Sequence, residues 1–206
     1  MSFTHVFSYY PAIGKQGELA ALLTERAQTR QAAGQRATLA VQIYGEHARY
    51  VLAVNLPDLD AIEKLYDDLR TDPAVAAFAA KSAPLMRVPI RSELHEVLIE
   101  PSAPGGRWMA RGTNWPILGR QAELQAVMAE VVKAEAAAGT RGQLTRPVAS
   151  DDSPSLSSIY RFDTLGEFGK FRERRQMDTT TVQKLAALIT RPPRVELLQI
   201  LAPAPI

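Results

Sequence analysis

The chain is written twice. A shift of 105 residues lays Gly14-Lys15-Gln16-Gly17-Glu18-Leu19 over Gly119-Arg120-Gln121-Ala122-Glu123-Leu124. Segments 14–36 and 119–141 share ten of 23 positions, whereas unrelated Ala-rich helices of ordinary composition would share roughly two or three. Pro11 and Pro116, and Leu39 and Leu144, match at the same shift. The register then slips, as loops of unequal length require. At 106 residues Leu59 meets Leu165, Lys64 meets Lys170 and Asp72 meets Asp178; at 103, Arg91-Ser92-Glu93-Leu94 overlies Arg194-Val195-Glu196-Leu197. A repeat kept in order from end to end implies one structural unit built twice. The units run over 1–101 and 107–206, joined at 102–106 by a Pro- and Gly-containing linker suited to the surface.

Each unit reads strand, helix, strand, strand, helix, strand. Phe3–Tyr10 is aromatic and β-branched and stops at Pro11, so it reads as a strand. Leu19, Leu22, Leu23 and Ala27 line one face of a helix that Gly34 ends. Thr38–Tyr44 and His47–Asn55 are strands joined by a hairpin at Gly45-Glu46. Asp58 caps a helix carrying Ile62, Leu65 and Leu69; a short Ala-rich helix over 73–83 then leads to the strand Glu93–Ile99. In the second unit the strands are Trp108–Trp115, Gln143–Ala149, Leu156–Phe162 and Val195–Leu201. A hairpin loop around Asp151-Asp152-Ser153-Pro154 precedes the third of these. Its main helix carries Leu124, Val127, Met128, Val131 and Val132.

The predicted class is therefore α+β: two tandem ferredoxin-like βαββαβ repeats, each a four-stranded antiparallel sheet with helices on one face. Apolar residues make up 46% of the chain, enough for a substantial core. Apolar side chains fall on both faces of the strands, so each bare sheet face needs a partner. The other repeat supplies it, and the expected result is a barrel-like sandwich with greasy inner faces and helices outside.

This order of elements, the duplication, and the first-strand pattern ending in Pro and then Gly14-Lys15 or Gly119-Arg120 resemble the dimeric α/β barrel superfamily, in its NIPSNAP-like and antibiotic-biosynthesis-monooxygenase-like branches. The resemblance implies a fused dimeric α/β barrel in a single chain. Its members include cofactor-independent monooxygenases, haem-degrading enzymes and small-molecule isomerases and lyases. Fold does not choose among these.

The first-strand ends are the first place to look for chemistry. They read Tyr9-Tyr10-Pro11 in one repeat and Asn114-Trp115-Pro116 in the other, with Arg111 where the first repeat has Val6. An Asn beside a Trp suits hydrogen bonding over a flat aromatic substrate, and duplicated units drift toward one active and one degenerate site. The haem-degrading branch uses an Asn, a Trp and a His, but no His follows His95. His5 and His95, on the first and last strands of one sheet, could share a face as a general base pair or an ion site; strand histidines are more often packing residues. His47 reads as a solvated turn residue. The candidate catalytic set is Asn114, Trp115, Arg111 and His5, with Tyr9, Tyr10 and His95 as ligand contacts. Lys170, Arg172, Arg174 and Arg175 scatter around a helix and read as a charged surface more than an anion site.

Several classes drop out. There is no cysteine, which removes disulfides, Cys-ligated metals and thiol catalysis, and three histidines make a His-rich metal site improbable. Net charge is +2, too small for a nucleic-acid surface, and no apolar run reaches membrane-span length. No phosphate loop, dinucleotide fingerprint or nucleophile elbow is present. The expectation is a cytoplasmic small-molecule binder or cofactor-independent monooxygenase-like enzyme, needing no cofactor, metal, nucleic acid or membrane. One chain would close the barrel as an internal pseudo-dimer, and further homodimerisation is left open. The alternative is a non-catalytic structural or regulatory protein of the same fold. A cavity lined by the candidate side chains favours the first; a barrel packed with Leu, Val and Phe favours the second.

Overall fold

A computed structural model of the chain describes residues 1–45, 48–103, 105–150 and 154–204. His47, Glu46 and the hairpin residues Asp151 to Ser153 therefore lie outside the described residues, as does Pro104 of the linker. In chain order the first half holds β1 (Ser2–Tyr9), α1 (Gln16–Ala32), β2 (Arg36–Tyr44), β3 (Tyr50–Leu56), α2 (Leu59–Thr71), α3 (Pro73–Ser82) and β4 (Arg91–Ile99). The second half holds β5 (Trp108–Asn114), α4 (Gln121–Ala137), β6 (Arg141–Ala149), β7 (Leu156–Phe162), α5 (Leu165–Met177), α6 (Thr179–Ala186) and β8 (Arg194–Ala202).

Local chemistry sets these boundaries. Asp58 accepts a 2.9 Å hydrogen bond from the Ala61 amide at the start of α2, and Thr164 accepts one of 3.2 Å from Glu167 at the start of α5. Such caps satisfy amides that have no partner inside the helix. Helices α1 and α4 stop where Gly34 and Gly139 take φ of 79° and 85°, the left-handed conformation that ends a helix cheaply only at glycine.

The strands close on themselves in the order β1-β3-β2-β8-β5-β7-β6-β4, every neighbour antiparallel. Pairing in the two halves corresponds position for position. Val6 lies opposite Ala53 and Glu93, and Arg111 lies opposite Ile159 and Glu196. The two seams between the halves also correspond, with Ala40 opposite Ile200 and Thr145 opposite Val97. Closure leaves no sheet edge exposed.

Two apolar clusters fill the layers between strands and helices. In the first half, Leu19 and Leu23 of α1 pack with Phe3, Phe7, Leu52 and Val54; in the second, Leu124, Met128 and Val132 of α4 pack with Leu144, Tyr160 and Phe162. Each fully buried leucine contributes about 1.5–3 kcal/mol. The lumen differs from the greasy interior expected of it. A small apolar cluster of Ala40, Val51, Met109, Leu198 and Ile200 is present, but Arg49, Arg111, Arg161, His95, Gln143 and Glu196 share the lumen wall with it. The expected sandwich of two apolar sheet faces is thus a single closed barrel whose dry faces point outward, toward the helices.

Candidate functional site

Strand β5 alternates its side chains between two environments. Arg111 and Thr113 face the lumen, where each meets the Ser157 hydroxyl, at 3.3 and 3.1 Å. Ala110, Gly112 and Asn114 face the helices and line a pocket of about 200 Å³ under α4, α5 and α6. Tyr160, Phe171 and Arg175 complete its working walls. Beyond Val131 and Arg175 the pocket runs into a groove of about 360 Å³ between α4 and the α5–α6 pair.

Among the described residues the corresponding place in the first half is filled, and the sequence gives the reason. There β1 carries His5, Phe7 and Tyr9, all buried, where β5 carries Ala110, Gly112 and Asn114. His5 stacks at 4.2 Å on Phe7 and lies 5.5 Å from Tyr66, and Tyr9 meets Phe78 edge-on at 6.2 Å. The rings fill the volume that the small β5 side chains leave open. A side chain added at Gly112 would first meet the Ser158 hydroxyl at 3.4 Å, an ordinary contact with no backbone in the way.

The open pocket is polar at three points, Tyr160, Arg175 and Asn114. Burial pushes the Tyr160 phenol up to about 12, against the opposing pull of Arg175, so at neutral pH it is a hydrogen-bonding hydroxyl and never a phenolate base. Arg175 pairs loosely with Asp178 at 3.5 Å. Asn114 adds an amide, which can donate to and accept from one bound molecule. Together these groups can polarise a carbonyl or steady an enolate or phenolate oxygen on an apolar floor of Ala110, Met128 and Phe171.

The lumen holds a second constellation. Glu196 accepts a 2.7 Å hydrogen bond from Arg49 and lies 3.9 Å from Arg111, which is 3.5 Å from Glu93; His95 Nε2–H donates to Glu93 at 3.0 Å. Burial alone would raise the Glu93 carboxyl, but the His95 hydrogen bond and the Arg111 charge outweigh it and hold it at about 2. The chain of charges ties both halves together inside a cavity of only about 50 Å³.

The candidate residues thus separate into three places. Asn114 lines the helix-side pocket; Arg111 and His95 face the lumen; His5 and Tyr9 are packed under first-half helices. His5 and His95 do not share a face, because the antiparallel register sets Thr4, not His5, opposite His95. Trp115 and Tyr10 end their strands under guanidinium groups: Arg191 stands 3.5 Å from the Trp115 ring centroid, and Arg87 and Arg91 each 5.8 Å from Tyr10. Neither lines the pocket. Sequence reading missed Tyr160 and Arg175. From sequence alone Arg175 belongs to a charged helix surface, and only the packing of α5 against β7 brings it to the pocket wall. The matched pair Glu93 and Glu196, at equivalent points of the repeat, was a signal in plain view.

Among solved structures, the chain is similar to a candidate monooxygenase from Fusobacterium nucleatum, with a TM-score of 0.79, 10% identity, and coverage of 98% of this chain and 94% of that one. A candidate monooxygenase from Lactobacillus acidophilus gives 0.72 at 9% identity, covering 98% and 95%. An anthrone oxidase-like protein gives 0.64 at 15% identity, covering 98% and 92%. No protein-family model and no curated protein matches the sequence. These likenesses, over nearly the full length of each chain, establish the fold as that of the dimeric α/β barrel proteins.

The haem chemistry of one branch of that fold does not suit this pocket. No histidine lines it, Tyr160 is held as the neutral phenol, and its volume of about 200 Å³ is too small to enclose a macrocycle the size of haem. Among the described residues no group of His, Asp and Glu side chains is placed to hold a metal ion, and no helix is long and apolar enough to cross a membrane.

Proposed function

We propose that this protein binds a flat aromatic small molecule in the pocket of its second half and oxidises it without a cofactor, in the manner of the monooxygenase-like dimeric α/β barrels. The observation that carries the reading is the opening of that pocket by Ala110, Gly112 and Asn114 where the first half is filled by His5, Phe7 and Tyr9. The chain is then a tandem duplication of a ferredoxin-like unit, 1–101 and 107–206, with one open and one closed site. Support for this comes from the matching strand registers and the matching seams.

In this reading Asn114 and the Tyr160 hydroxyl hold the substrate's oxygen. Arg175 stabilises negative charge as an acidic carbon–hydrogen bond of the substrate gives its proton to a water molecule at the pocket mouth, which returns it to the peroxide formed with dioxygen. The resulting carbanion supplies the electrons to dioxygen. One oxygen atom enters the substrate as a carbonyl and the other leaves as water. Phe171 and Met128 keep bulk water off the reacting carbon. Arg111 forms part of the pocket wall along β5 while its guanidinium turns into the lumen to Ser157, so it acts on the pocket by fixing β5.

The test is binding of anthrone, followed by tryptophan fluorescence, with oxygen uptake and anthraquinone formation measured alongside. The wild type binds it and consumes one oxygen molecule per product. Gly112→Phe, which restores the residue found at Phe7, weakens binding more than about tenfold while the protein stays folded. Equal binding by both proteins would remove the pocket from the reading. Binding without oxygen uptake would remove the oxidation and leave the ligand.

A further inference from the structure

Among the described residues, three guanidinium groups face the lumen and two carboxylates answer them. Arg49 and Arg111 share Glu196 and Glu93. The third, Arg161, lies on β7 two positions after Ile159, on the same lumen face. Its Nε is shut off from solvent with no hydrogen-bond partner, and among the described residues no carboxylate comes within ion-pair distance. The charges that do reach it are of its own sign: Arg141, itself paired at 2.8 Å with Asp163, and Arg36. Burial and those two cations both work against its charge. Arg161 as a whole is half-buried, but its Nε is cut off from water without a partner, so the cation is incompletely solvated with nothing to offset the loss.

The surroundings are suited to an anion. Thr38, Asn55, Gln143 and Thr145 line the same cavity. Thr4 donates to the Asn55 side-chain oxygen at 3.1 Å, which leaves the Asn55 amide N–H groups as donors. The cavity of about 50 Å³ has room for a few atoms and no more. We infer that this end of the barrel lumen is a binding site for a compact monoanion, such as formate or a halide, held by Arg161 as the missing counter-charge. It is separate from the helix-side pocket, since the β-sheet lies between them.

The experiment uses the full chain and compares melting in sodium gluconate, whose anion is too bulky to enter, with melting in sodium formate or bromide at equal ionic strength. Formate or bromide raises Tm by about 2–4 °C once the anion exceeds its Kd several-fold. Arg161→Met loses that response and, in gluconate, melts above the wild type because the uncompensated charge is gone. A bromide-grown crystal of the wild type shows an anomalous peak beside Arg161 Nε, a result that holds even if the variant fails to fold. An unchanged formate response in Arg161→Met, or a bromide map empty in the lumen, overturns the inference.

Discussion

Arg49 donates to Glu196 at 2.7 Å inside the barrel, so the segment that leads into β3 of one half is tied to β8 of the other across the seam between them. Both side chains are almost wholly buried. Removing one partner of such a pair strands the other in a medium that cannot solvate it. Glu196→Leu is therefore expected to destabilise the fold by about 3–5 kcal/mol in urea unfolding. The double variant Arg49→Met with Glu196→Leu should recover part of that loss, because Arg111 keeps Glu93. A single variant as stable as the wild type would show that the lumen is wet enough to solvate the charge.

In the helix-side pocket, Asn114 is placed to hydrogen-bond a ligand through its amide. Asn114→Ala should weaken binding of an aromatic ketone about five- to tenfold, the value of one hydrogen bond, with little change in Tm. Arg175→Met should lower the turnover of anthrone more than its binding, because its charge matters most once the substrate oxygen is negative. Stopped-flow binding and steady-state oxygen uptake separate the two effects.

His5 is a buried base without hydrogen-bond partners on either ring nitrogen. Burial, with smaller pushes from Arg30 and His95, lowers it from 6.5 to about 4. The unfolded chain therefore binds a proton in a range where the folded one does not. Stability is complete above pH 6.5 and declines as pH falls toward 4, by on the order of 3 kcal/mol in all. His5→Phe should flatten the stability profile between those pH values, as followed by chemical denaturation at each pH.

Glu93 acts at lower pH and with the opposite kind of group. Its carboxyl is held near 2 against an ordinary 4.5 by His95 and Arg111, despite burial. Its contribution is present above pH 4.5 and is lost as pH falls toward 2. Glu93→Gln should remove this acid limb while leaving the His5 limb in place. A variant whose profile matches the wild type below pH 4 would show that Glu93 is not held ionised by its neighbours.

Closure of the barrel by one chain has a consequence for its parts. A fragment of residues 1–103 would expose β2 and β4, which in the intact chain pair with β8 and β6. Unpaired strand edges seek other strands. Sedimentation equilibrium should find this fragment as a dimer or larger species, with no stable monomer.

Much of the architecture was legible in the residues. Strand and helix boundaries follow from aromatic and β-branched runs, from Asp58 as a cap and from Gly34 as a stop. Leu156–Phe162 agrees with the predicted strand at both ends, while the others differ by one to three terminal residues. Strand β5 ends one residue earlier, and β2, β4, β6 and β8 start one or two earlier where Arg36, Arg91, Arg141 and Arg194 pair with a neighbouring strand. The site was legible only in part. Asn114 was identified from its place at a strand end, and the structure sets it in the pocket wall. Trp115, the next residue and already past the end of β5, lies under Arg191 instead.

The sequence by itself determined the order and type of the strands and helices, because hydrophobic period, caps and turns are local properties. Which faces would be dry and which charged was decided by closure. Only when β2 meets β8 and β4 meets β6 do Arg49, Arg111, Glu93 and Glu196 come within reach of one another. The pocket likewise needed three dimensions. Ala110, Gly112 and Asn114 are merely small residues in the sequence, and they become an opening only when helices pack over them at the height where His5, Phe7 and Tyr9 fill the other half.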